Sequence, residues 1–136
     1  MTVGTDRQLG GANATSMSKF VQLNYIASLI TQPFFVAPFP CIVTAIQGRP
    51  IVAGTDGSAV TLAFWKAPSG TALASGTQLH SGSYDMKGTI DVNQTLTLVG
   101  NLDSLTLNAG DCIGYVLTGT ATAAIGTITV TLEPVA

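Results

Sequence analysis

Apolar and polar residues alternate along much of this chain, most cleanly in its last strand-like run. There Ile128, Val130 and Leu132 fall on one side and Thr127, Thr129 and Thr131 on the other. The same period of two sets Val60, Leu62 and Phe64 against Thr61, Ala63 and Trp65. It sets Leu96 and Leu98 against Thr95 and Thr97, and Ile113, Tyr115 and Leu117 against Cys112, Gly114 and Val116. Successive side chains of a strand point to opposite faces, so this alternation predicts antiparallel sheet with one buried side. Residues 41–46 read likewise, with Ile42, Thr44 and Ile46 on one face, Cys41, Val43 and Ala45 on the other, and a break at Gly48.

Turn chemistry separates these runs. Asp56-Gly57, between Ile51–Ala53 and Val60–Phe64, is a hairpin or tight-turn signal. Pro68 and Gly70 mark a second turn, and Asn108-Ala109-Gly110-Asp111 a third, with Gly110 supplying a positive φ and Asp111 capping free amides. Residues 20–30 fit either a strand through Val21, Leu23 and Tyr25 or a short helix through Phe20, Leu23 and Ile30; we favour the strand. Pro33, Pro38 and Pro40 hold the next stretch extended, as an edge strand or a crossing between sheets, with Phe34, Phe35 and Phe39 riding on it. Short strands punctuated every 8–12 residues predict an all-β antiparallel sandwich or barrel. Residues 1–18, rich in Gly, Ala, Ser and Thr without a stable period, read as an extended N-terminal arm preceding a single domain, 19–136.

Composition sharpens this picture. The chain has 136 residues, of which 9% are charged, and a net charge of −2. Ordinary soluble domains carry about 25% charged residues. The deficit is made up by Thr, Ser, Gly, Ala and Asn, with 19 Thr alone. Charge is depleted at the cores of protein interfaces, so this surface fits a chain that lives in an assembly. Arg7, Lys19, Arg49, Lys66 and Lys87 are scattered and form no phosphate-binding stripe, so no nucleic-acid partner is expected. Apolar runs fall short of the roughly 18–20 residues that cross a bilayer, so no membrane partner is expected either. Met1 to Gly11 contains Asp6 and no apolar core of a signal peptide, which points to synthesis in a cytoplasm. Cys41 and Cys112 are then expected as reduced residues, with pairing across a sandwich as the alternative.

A search for chemistry returns little. His80 is alone, in a turn-rich stretch that predicts a solvated loop, and with two cysteines it cannot complete a structural zinc site. Asp56, Asp103 and Asp111 sit in turn contexts, Glu133 precedes Pro134, and nothing pairs Asp85 with Asp91. No phosphate-binding glycine loop or calcium loop occurs. We therefore expect no enzyme activity, no catalytic residues, no cofactor and no metal.

Two stretches carry a resemblance. AVTLAFWKAPSGTALASGTQLHSGSYDMKGTIDVNQTLTL, residues 59–98, and LTLNAGDCIGYVLTGTATAAIGTITVTLEP, residues 105–134, resemble the small jelly-roll decoration, or cement, proteins of tailed-phage capsids. The shared features are K-A-P-S-G-T, a polar Gly/Ser link, N-Q-T-L-T-L, A-G-D and a Thr-alternating final strand. The resemblance implies a jelly-roll sandwich on the outer surface of the capsid. Its partner would be the major capsid protein, and the chain itself a homotrimer, or alternatively a dimer. Phe20, Phe34, Phe35, Phe39 and Trp65 are the candidate interface residues, although large apolar residues more often fill cores. The competing reading is a receptor- or glycan-binding virion module, with Tyr84, Asp85 and Trp65 as its candidates.

Overall fold

The structure is a computed structural model that describes residues 19–27 and 29–135. The expected arm, residues 1–18, lies outside the described residues. The described residues form ten strands: β1 (Lys19–Tyr25), β2 (Gln32–Val36), β3 (Cys41–Val52), β4 (Thr61–Ala67), β5 (Thr77–Gln78), β6 (Tyr84–Asp85), β7 (Gln94–Thr95), β8 (Thr106–Leu107), β9 (Cys112–Thr118) and β10 (Ile125–Pro134). A 3-10 turn, Leu73–Ser75, and a one-turn helix α1, Leu102–Leu105, interrupt them. Asn101 caps α1, its side-chain oxygen accepting the Asp103 amide at 3.0 Å.

The strands make two antiparallel five-stranded sheets. The first runs β1-β10-β3-β7, with β8 also on β3, and the second β2-β9-β4-β5, with β6 also on β4. Buried side chains from both sheets meet in one core. Residues 20–25 are strand, as favoured from the sequence. The proline-rich stretch is both things expected of it: among the described residues β2 is an edge strand paired to β9, and residues 37–40 then cross to β3 in the other sheet. Register fixes two poles. At the Lys19 pole β1 and β3 begin and β10 ends; at the Tyr25 pole Tyr25 faces Gly126 and Val52 faces Ile125.

Inward and outward faces follow the sequence pattern in β4, β9 and β10. They depart from it in β3. Leu132 pairs with Val43 but Thr131 with Ala45, so Thr44 is an extra residue and the alternation changes phase there. Val43 and Ile46 both face the core as a result, instead of lying on opposite faces. Gly48 is no break. It continues the strand facing inward, where an added β-carbon would lie 2.5 Å from both Ile128 Cδ1 and Tyr84 Cε1. Nor does Asp56-Gly57 close a hairpin, because β3 and β4 belong to different sheets. Asp56 instead accepts the Thr120 amide at 3.2 Å and ties that crossing to the β9–β10 loop. The Asn108–Asp111 turn forms as its residues require, with Gly110 at φ +94° and the Asp111 carboxylate accepting the Asn108 amide at 2.9 Å.

Candidate functional site

Beside the start of β1, an open groove of about 210 Å³ is lined by Lys19, Phe20, Val21, Phe35, Pro38, Phe39 and Leu132. It lies where the edge strands of the two sheets, β1 and β2, come together at the Lys19 pole. Phe20 is an outward residue of β1, opposite Thr131, and is 69% exposed. Phe39, on the crossing from β2 to β3, is 36% exposed. Phe35 is half-buried and forms the wall between them and the core. Fully burying one such ring stabilises a contact by about 1.5–3 kcal/mol.

Of the five side chains singled out from sequence, the fold brings Phe20, Phe35 and Phe39 together and sends two elsewhere. Phe34 falls at a register shift between Pro33 and Phe35. Its ring turns to the core, stacked on Tyr115 at 6.2 Å and edge-on to Phe64 at 6.4 Å. Burial against those two rings makes it a packing residue, which corrects its candidacy as a contact-maker. Trp65 points outward from β4 and is half-buried, opposite Gly114 of β9. Its indole nitrogen is buried and, among the described residues, has no hydrogen-bond partner. Lys19, Val21, Pro38 and Leu132 complete the groove and were not singled out. Val21 and Leu132 read as ordinary core positions; Val21, on the edge strand β1, is half-buried, and Leu132 of β10 is buried beneath the groove.

Two further expectations are corrected by burial. His80 is no solvated loop residue, being 2% exposed. Its Nε2 accepts the Phe64 backbone amide at 2.8 Å. That amide can only donate, so the ring proton sits on Nδ1, which donates to the Ser81 carbonyl at 2.9 Å. The imidazole thus fills a missing ladder position beside β4, and burial holds its pKa below the ordinary histidine value. Tyr84, proposed for glycan binding, is buried in the core. Its hydroxyl and that of Tyr25 share a 2.7 Å hydrogen bond between the two sheets, and burial raises both pKa values. Asp85 accepts the Lys87 amide at 2.8 Å.

A second depression, of about 250 Å³, is polar and lies on the outer face of the first sheet among Gln47, Gly48, Arg49, Asn93, Thr127 and Thr129. There Arg49 Nε donates to Asn93 Oδ1 at 2.7 Å. Cys41 is buried, Cys112 half-buried, and both are free thiols. Burial, with the Asp111 carboxylate adding to it, pushes the Cys41 thiol up. Among the described residues no three His, Cys, Asp or Glu side chains gather as metal ligands, and no helix is long and apolar enough to cross a membrane.

No family model and no curated protein matches the chain. A solved chain described under "Bacillus endospore appendages form a novel family of disulfide-linked pili" is similar at 17% identity, over 90% of each chain, with a TM-score of 0.39. A likeness of that size does not bear on what this chain does.

Proposed function

We propose that this protein is a virion structural protein that decorates the outside of a tailed-phage capsid and stabilises it by binding the major capsid protein lattice. The observation that carries the reading is the aromatic groove on a charge-poor sandwich: Phe20 and Phe39 stand exposed at one pole, walled by Phe35. Apolar side chains gathered at an edge mark surfaces that other proteins cover. The resemblance of residues 59–98 and 105–134 to decoration proteins supports the choice of partner. The strand orders β1-β10-β3-β7 and β2-β9-β4-β5 support a jelly-roll assignment within the sandwich. The working unit is a homotrimer.

The mechanism is burial, with no bond made or broken, no cofactor and no metal. Each contact gains about 25 cal/mol per Å² of apolar surface removed from water, before the cost of association. Repeated over a shell, modest contacts give a lattice that resists internal pressure. No observation favours the glycan- or receptor-binding alternative. Of its three candidates Tyr84 is buried, Trp65 is half-buried, and Asp85 already accepts a backbone amide.

Co-sedimentation with expanded, undecorated capsids tests the proposal. Saturable binding at a fixed ratio per capsomer is expected, and no binding at micromolar protein discards it.

A further inference from the structure

The pole opposite the groove is also apolar, but aliphatic. Ile51 and Val52 at the end of β3, Ile125 at the start of β10, and Ile90 and Val92 of the β6–β7 loop are all exposed there. Residues 89–93 are five consecutive exposed positions that crown this pole. The crown is held from below. Asp91 donates its amide to the Pro50 carbonyl at 2.8 Å and adopts a left-handed φ of +61°. At the loop's base the Gln94 side chain clamps Asp85, accepting its amide at 2.9 Å and donating to its carbonyl at 2.7 Å. Lys87 spends its ammonium on the carbonyls of Asp56 and Ser58. Asp91, exposed between Ile90 and Val92, is the acidic residue of the crown, and the exposed Arg49 guanidinium donates to Asn93 at the crown's foot.

We propose that the groove at the Lys19 pole receives the Ile90–Val92 crown of a second copy of this chain. The proposal rests on the reading of the groove as an assembly contact and names its occupant. Charge complementarity selects that occupant: Lys19 is the charged group lining an aromatic groove, and Asp91 is the acidic centre of an aliphatic crown. A crown already fixed by the Asp91–Pro50 and Gln94–Asp85 bonds loses little freedom on docking. Groove and crown lie at opposite ends of the sandwich, so the contact is head-to-tail. Copies joined this way close into a ring or continue as a chain, and a two-fold dimer cannot satisfy both ends. The broad Thr-bearing faces stay free for a lattice.

Sedimentation velocity of the full chain without capsids, from micromolar to near-millimolar concentration, tests this. The wild type is expected to associate with rising concentration. Phe20→Glu and Ile90→Glu change exposed positions, so both should keep the native near-ultraviolet circular dichroism while weakening association by about thirtyfold or more. Their equimolar mixture should form a one-to-one dimer and stop, because one intact groove and one intact crown remain. Lys19→Gln and Asp91→Asn, the latter tolerant of the left-handed φ, should flatten the salt dependence of association. A wild type that stays monomeric, variants that assemble like it, or a mixture that stays monomeric overturns the proposal. Slowed hydrogen exchange in residues 1–18 but not 88–93 on association would hand the groove to that segment and overturn it too. Capsid binding by a monomeric wild type would leave decoration standing, whereas self-association without capsid binding would remove decoration and keep this contact.

Discussion

His80 works as part of the backbone ladder, since its Nε2 is the acceptor that Phe64 would otherwise lack. A proton there converts the acceptor to a donor facing another donor. Because the folded pKa lies below the ordinary 6.5, the unfolded chain takes up that proton first as pH falls. The contribution of the neutral ring is therefore complete above about pH 6.5 and is lost as the pH drops toward the folded value. Urea midpoints at about pH 7.5 and about pH 5.5 should fall on acidification in the wild type and differ less in His80→Gln. Equal slopes would remove the role. The Tyr25–Tyr84 pair makes a second residue-scale prediction. Tyr84→Phe strands the Tyr25 hydroxyl and should cost about 1–2 kcal/mol, whereas the double Tyr→Phe variant should cost less than the two singles summed. Denaturant titration of the three variants decides between that and simple additivity. Neither residue announced this in the sequence. His80 sits among Ser, Gly and Thr, and Tyr84 between Ser83 and Asp85, so local composition spoke for solvent while tertiary packing enclosed both.

Among elements, β4, β9 and β10 were legible because their alternation is uninterrupted and one face of each is buried. Strand β3 was not, since a bulge adds one residue and reverses the phase, and nothing in Val43-Thr44-Ala45 marks where it falls. Gly48 and Asp56-Gly57 misled for a related reason. A glycine can mark a turn or make room for a neighbour, and an Asp-Gly pair reports a tight turn without saying which sheet comes next. Gly48 makes room. Gly48→Ala should cost about 1–3 kcal/mol through overpacking against Ile128 and Tyr84. Gly57→Ala, whose added carbon meets nothing within 4 Å, should stay within about 0.5 kcal/mol. Thermal or urea unfolding of the pair checks the contrast, and equal losses would contradict this packing.

Across the whole molecule, the two-sheet architecture was readable from periodicity and turn spacing, and so were three of the groove's aromatic residues. Their convergence was not readable, because it depends on Phe20 and Phe39 arriving at one pole from segments that flank different sheets. The aliphatic crown was missed altogether: Ile90 and Val92 flank a turn-like Asp91 and show no strand or helix period. Strand β10 has a further consequence. It separates β1 from β3, yet β4, β5, β6 and β9 of the other sheet are all translated between β3 and β10. On the ribosome, β1 and β3 must wait with open hydrogen-bonding edges until the strand that joins them emerges. Folding governed by such distant pairings is slow, on the order of milliseconds to seconds. A lesion in β10 would therefore surface first as misassembly during synthesis, before any loss of equilibrium stability is measured.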